Sequence, residues 1–189
     1  MGEVVIVTGI PGTGKTTVID GTLQHVKGWQ VVTYGSLMLE IAQQKKLAQH
    51  RDELRKLPQK KQVELQEMAA KKIADLAKKG NIIVDTHSTI KTPRGYLPGI
   101  KEFTLTTTKP SLIVNVESFP KEIFGRRQKD DSRKRDAETV EQIHDHQMIN
   151  RSFSASCCAL SGATFAIVEN HDNELKEAIK QMKAILETS

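Results

Sequence analysis

Five short runs of apolar, largely β-branched residues recur along the chain with amphipathic stretches between them: Glu3–Thr8, Gln30–Tyr34, Asn81–Thr86, Ser111–Val116 and Thr164–Glu169. The cores of two of them, Val4-Val5-Ile6-Val7 and Ile82-Ile83-Val84, are apolar at every position. A strand covered on one face alternates apolar with polar residues, whereas a strand covered on both faces does not. The pattern therefore predicts an α/β fold, a five-stranded parallel sheet with helices on both faces and right-handed crossovers.

The intervening stretches read as helices. Lys15–Val26 is the first, and Ser36 is a candidate N-cap for a second that reaches about Leu47. Pro58 opens a long segment with Val63, Ala69, Ala70, Ile73, Leu76 and Ala77 at helical spacing, closed by Gly80. Ser118 and Pro120 start a helix toward Arg127. Val140–Leu160 carries Ile149, Phe153, Cys157 and Leu160 three or four apart, and Leu175 to Leu186 is an amphipathic final helix. No repeat, low-complexity tract or linker interrupts this series, so a single domain is expected over residues 1–189.

Composition narrows the class without naming a chemistry. With 38% hydrophobic and 27% charged residues, the chain has the make-up of an ordinary globular domain. Aromatics are only 4%, so the core must be aliphatic. The net charge of +5 suits an anionic partner without distinguishing nucleotide, nucleic acid or membrane. The two cysteines, Cys157 and Cys158, are adjacent and cannot staple distant segments. No disulfide framework is expected, and a reducing cytoplasm is the simplest compartment. The apolar N-terminal run is too short for a signal peptide or a membrane span.

The chemistry enters with Gly9-Ile10-Pro11-Gly12-Thr13-Gly14-Lys15-Thr16, a full phosphate-loop pattern between an apolar strand and a helix. Glycines let successive backbone N–H groups turn inward, and the following helix directs its positive end at the same point. Lys15 can reach the β- and γ-phosphates of a nucleoside triphosphate, and the Thr16 hydroxyl can ligate Mg²⁺. Asp85 ends the third strand, where α/β folds bind ligands, and suits a carboxylate that holds Mg²⁺ directly or through its water. His87 follows closely and is open to either a ligand role or a structural hydrogen bond.

Two basic segments bear on the acceptor. Arg126 to Arg135 reads RRQKDDSRKR, six basic residues against two acidic ones. By composition alone this is a solvated surface or a nucleic-acid patch. Its place after the fourth strand, on the side of the phosphate loop, favours arginines that close over a nucleotide and balance charge during phosphoryl transfer. The cluster Arg51 to Lys56 could fork an arginine onto an acceptor phosphate, with Arg–Glu pairing on an exposed helix as the competing reading. No dedicated base is apparent. A phosphate acceptor needs none, because the second pKa of a phosphate monoester is ~6 and its oxygen is already ionised.

Together these residues resemble the archaeal-type adenylate kinase family from end to end. Beyond the phosphate loop, the matching stretches are Tyr34-Gly35-Ser36, RDELRKL (Arg51–Leu57), DTHSTIKTPRGYLPG (Asp85–Gly99), DSRKRDAET (Asp131–Thr139) and HQMINR (His146–Arg151). The resemblance implies a P-loop phosphotransferase acting on ATP and AMP, with Mg²⁺, an AMP-binding segment over about 35–80 and a lid over about 126–139. It implies that Gly9, Ile10, Pro11, Gly12, Thr13, Gly14, Lys15, Thr16 and Thr17 form the ATP site. Tyr34, Gly35, Ser36, Met38, Arg51, Arg55, His87, Lys91 and Arg94 would serve AMP. Lys15, Arg126, Arg127, Arg133 and Arg135 would serve the transfer. It also implies a homotrimer, with no nucleic-acid or membrane partner. Leu39 stands where bacterial and eukaryotic relatives place an AMP-phosphate arginine, and the run after Asp85 lacks their Gly-Phe-Pro-Arg. The acceptor phosphate must therefore be held by Arg51 or Arg55 and by Lys91 or Arg94. The short lid carries no cysteine cluster for a structural zinc.

Overall fold

A computed structural model describes residues 2–129 and 138–188. Five strands form one parallel sheet: β1 (Val4–Thr8), β2 (Trp29–Thr33), β3 (Asn81–Asp85), β6 (Leu112–Glu117) and β7 (Thr164–Glu169). Their order in the sheet is β2-β3-β1-β6-β7. The helices are α1 (Lys15–Leu23), α2 (Tyr34–Gln44), α3 (Arg51–Lys56), α4 (Gln59–Ala77), α5 (Glu102–Thr108), α6 (Pro120–Gln128), α7 (Val140–Ser161) and α8 (Leu175–Glu187).

The unbroken apolar runs are explained by two cores, one on each sheet face. Val4, Ile6, Ile82, Val84 and Ile113 pack with α2, α4, α5 and α7. Val5, Val7, Ile83, Val114 and Val116 face the other way, with Val18, Ile19, Ala178, Met182 and Leu186 of α1 and α8. Successive side chains on a strand point to opposite faces, so both parities must be apolar when both faces are covered. A smaller cluster of Ile10, Ile123 and Ile143 seats the phosphate loop on α6 and α7.

Four local features depart from the sequence expectation or refine it. Helix α2 begins at Tyr34 and not at Ser36, because the Tyr34 hydroxyl donates to the Gln66 carbonyl of α4 at 2.7 Å and anchors the first turn. Outside the five runs read as strands in the sequence, the stretch after Asp85 contains an antiparallel hairpin of β4 (Thr89–Thr92) and β5 (Gly95–Pro98). Arg51–Lys56 is a separate short helix, cut from α4 by the extended Leu57 and Pro58. Helix α5 was not expected, since its sequence EFTLTTT is rich in β-branched threonine. Burial of Thr104, Leu105 and Thr108 against its neighbours outweighs that weak propensity.

Thr139, at the end of the expected lid, caps α7. Its Oγ1 accepts from the Gln142 amide at 3.2 Å while Gln142 Oε1 accepts from the Thr139 amide at 3.1 Å. No helix among the described residues is long and apolar enough to cross a membrane.

Candidate active site

The site lies along the carboxyl ends of the parallel strands. Thr33 and Val7 both pair with Asp85, so the segments after β1, β2 and β3 emerge side by side. The phosphate loop follows β1, helix α2 follows β2, and Asp85 stands between them.

In the loop, Gly12 and Gly14 have φ of 97° and 77°. These left-handed values are accessible to glycine at little cost and turn the chain into the N-terminus of α1. Ile10 and Thr13 are buried beneath the loop, whereas Thr16 and Thr17 are exposed on the first turn of α1. Thr13 Oγ1 donates to the Ile10 carbonyl at 3.1 Å.

Lys15 is only 8% exposed and Asp85 only 6%. They form an ion pair between Lys15 Nζ and Asp85 Oδ1. Burial pushes the Lys15 pKa down to about 8. The Thr16 hydroxyl faces the other carboxylate oxygen, Asp85 Oδ2, at 3.5 Å. A hydroxyl and a carboxylate on adjoining positions are hard oxygen donors, and this set fits Mg²⁺ shared with substrate phosphates.

The expected acceptor residues divide into two groups. Ser36 and Arg51 come together at the surface, Arg51 Nη2 donating to Ser36 Oγ at 2.9 Å. Arg55 stands on the same short helix, and Gly35 is partly open on the first turn of α2. Tyr34 and Met38, by contrast, are core residues. The Tyr34 hydroxyl lies between the Gln66 carbonyl and Thr104 Oγ1, the latter at 3.3 Å, and burial pushes its pKa up to about 12. His87 turns toward the phosphate loop, its Nδ1 lying 2.7 Å from the Gly9 carbonyl. Lys91 points along the hairpin to Glu138, with Nζ–Oε1 at 2.6 Å. Arg94 is exposed at the hairpin turn.

On α6, beside the phosphate loop, Arg126 Nε donates to Asp172 Oδ1 at 2.8 Å and its Nη2 to the Asn170 carbonyl at 2.9 Å. Arg127 Nε donates to the Pro11 carbonyl at 2.7 Å, and its Nη1 is ion-paired with Glu138. Arg133 and Arg135 lie outside the described residues.

Three further residues shape the site without having been singled out in the sequence. Glu138 bridges Lys91 and Arg127, one cation on each carboxylate oxygen. Burial works against its charge, but these two partners hold its pKa below the usual carboxylate range. Glu122 accepts from Ser118 Oγ, the backbone of Phe119 and Asp172, and His171, tying the β7–α8 loop to α6. Against the cost of burial, these bonds pull its pKa down to about 2. Asn170 directly follows the last residue of β7, Glu169, and donates from Nδ2 to the Thr13 carbonyl at 2.8 Å. Its signal in the sequence was position alone, a polar residue at the carboxyl end of a parallel strand.

This sheet order, glycine loop and strand-end carboxylate define a P-loop phosphotransferase. Residues 8–144 match the family model described as an AAA domain. The chain is 48% identical to the adenylate kinase of Methanopyrus kandleri, the match covering 96% of each chain. It is 47% identical to that of Pyrococcus furiosus, covering 97% of this chain and 95% of the relative. Among solved structures, the fold is similar to shikimate kinase from Bacteroides thetaiotaomicron, with TM-score 0.62, 13% identity and 98% of each chain covered. The chain belongs to the adenylate kinase family, and the relatives it matches are archaeal.

Proposed function

We propose that this enzyme catalyses reversible transfer of the γ-phosphoryl group of ATP to AMP, giving two ADP. The observation that carries the reading is the placement of the Lys15–Asp85 pair between the phosphate loop and the Ser36–Arg51 pair, on three neighbouring strand ends. A donor triphosphate on the loop and an acceptor phosphate near Arg51 would then meet over Asp85.

Catalysis here is positioning and charge neutralisation. Lys15 and the amides of the loop hold the β- and γ-phosphates, and Arg51 orients the acceptor phosphate. That phosphate is already ionised near neutral pH, so no side chain has to remove a proton from it. Thr16 and Asp85 would hold Mg²⁺, which supplies charge neutralisation on the β- and γ-phosphate oxygens. Arg126 and Arg127, already bonded to the loop or its neighbours, fix the donor side. Arg133 and Arg135 are assigned to the transfer on sequence grounds.

We further propose a homotrimer in the cytoplasm. Met148, Ile149 and Leu160 are exposed on α7, Leu160 at 76%, a set of apolar side chains suited to burial between subunits. Cys157 and Cys158 are free and buried, which suits a reducing compartment.

A coupled assay with ATP and a panel of monophosphates tests the activity. AMP is expected to have a kcat/KM well above CMP or UMP, and ADP alone should yield ATP and AMP. A preferred pyrimidine acceptor, or ATP hydrolysis indifferent to AMP, would overturn it. Light scattering tests the assembly, a mass near 21.1 kDa counting against a trimer.

A further inference from the structure

The carbonyl groups of the phosphate loop show a regularity of their own. Alternate carbonyls, those of Gly9, Pro11 and Thr13, are each bonded to a side chain from a different distant element. The partners are His87 Nδ1 at 2.7 Å, Arg127 Nε at 2.7 Å and Asn170 Nδ2 at 2.8 Å. Arg126 Nη1 adds a weaker contact to Thr13 O at 3.4 Å. The Ile10 carbonyl between them is satisfied inside the loop, by Thr13 Oγ1 at 3.1 Å and the Thr13 amide at 3.4 Å. A carbonyl only accepts, so His87 must carry its proton on Nδ1 and Asn170 must present its NH₂ group.

The consequence follows from peptide geometry. Every peptide bond among the described residues is trans, and in a planar trans peptide the C=O of one residue and the N–H of the next point in opposite directions. Side chains that draw the carbonyls of Gly9, Pro11 and Thr13 outward therefore direct the N–H groups of Ile10, Gly12 and Gly14 the other way. We propose that Asn170, together with His87 and Arg127, is a positioning residue that holds the phosphate loop open for a polyphosphate before one arrives. The proposal rests on reading Gly9–Thr16 as a triphosphate site.

Asn170 is the member best placed to act in this way. It is 6% exposed and its backbone is fixed on both sides. Its amide donates to the Glu117 carbonyl at 2.8 Å, and its carbonyl accepts from Ser118 Oγ at 2.7 Å and Arg126 Nη2 at 2.9 Å. The side chain lies so close to the loop that a Cβ at position 14 would sit 2.4 Å from Asn170 Nδ2. Gly14 thus answers both to its positive φ and to this approach. Pre-formed donors need no reorganisation when the ligand binds, which is where such a clamp contributes to affinity and rate.

The test uses the full chain and two substitutions, Asn170→Ala and Asn170→Asp. Affinities for ATP and for inorganic tripolyphosphate are measured by calorimetry, with KM for AMP and the melting temperature alongside. Asn170→Ala should weaken both polyphosphates by about tenfold, the scale of one well-made hydrogen bond, and leave KM for AMP within about twofold. Asn170→Asp keeps the shape but sets a carboxylate against the Thr13 carbonyl and near the phosphates. It should lose about a hundredfold, and it carries the test if the alanine variant does not fold. Wild-type tripolyphosphate affinity in a folded variant, or a loss confined to AMP, overturns the clamp. Failure of the unmutated chain to bind tripolyphosphate overturns instead the reading of the loop as a triphosphate site.

Discussion

The ammonium of Lys15 is ion-paired with the carboxylate of Asp85, the first residue of α1 with the last of β3. Each neutralises the other, and a triphosphate with its Mg²⁺ would supply new partners to both. On the proposed reading, the pair is a charge balance that substrate would exchange for its own.

A pH dependence follows from Lys15. Burial pushes its pKa down to about 8, against the ordinary 10.5. Below about pH 8 the side chain is cationic and attracts phosphate; above it, the free enzyme loses that charge. kcat/KM for ATP, which reports the free enzyme, should fall on the alkaline side with an apparent pKa near 8. Stability moves in the opposite sense. Between 8 and 10.5 the unfolded chain holds the proton that the folded chain has lost, so this residue makes unfolding harder as pH rises. Lys15→Arg should remove the alkaline limb from the accessible range, and Lys15→Ala should lower kcat by roughly two orders of magnitude with the fold intact. An unchanged limb in Lys15→Arg would show that another group titrates.

Metal removal separates catalysis from folding. Thr16 and Asp85 are the donors assigned to Mg²⁺, and neither of the two cores that flank the sheet includes them. EDTA should abolish turnover and leave the melting temperature unchanged. Asp85→Asn should raise the Mg²⁺ concentration for half-maximal activity by about 10–100-fold. Turnover that persists in EDTA would remove the metal from the reaction.

Arg51 should govern the acceptor and not the donor. Its contact with Ser36 is exposed, leaving the rest of the guanidinium available to a phosphate. A hydrogen bond to a charged group is worth about 1.5–3 kcal/mol, so Arg51→Ala should raise KM for AMP roughly ten- to a hundredfold. KM for ATP should hardly move. Lysine should rescue only in part, because it cannot fork onto the phosphate. Unaltered AMP kinetics would leave α3 a merely solvated helix.

Tyr34 provides the opposite case. Its hydroxyl bonds to Gln66 and Thr104 within the core. Tyr34→Phe should destabilise the fold by about 1–2 kcal/mol, measured by urea unfolding, with AMP kinetics unchanged. A selective rise in KM for AMP would instead return Tyr34 to the acceptor site.

The sheet was legible because burial on both faces writes itself into consecutive positions. Val4 to Val7 cannot alternate with polar residues when α4 lies on one side and α1 with α8 on the other. The phosphate loop was legible for a related reason: glycines at 12 and 14, lysine at 15 and threonine at 16 are local requirements, set by backbone angle and phosphate reach within one turn of chain. The hairpin of β4 and β5 was hidden because its strands are short and largely exposed, with Ile90 and Leu97 pointing outward.

The supporting shell of the site depended on tertiary structure. That Tyr34 belongs to the core, that His87 serves the Gly9 carbonyl and that Glu138 joins Lys91 to Arg127 are facts about partners far away in sequence. Asn170 shows this most plainly, since it meets Thr13 from 157 positions along the chain. Nothing in the residues around it marks that meeting. By itself the sequence determined the class of reaction, because phosphate binding is built from neighbours along the backbone. Only the packed fold decided which side chains hold that backbone in place, because a hydrogen bond between distant segments exists only once the sheet has brought their ends together.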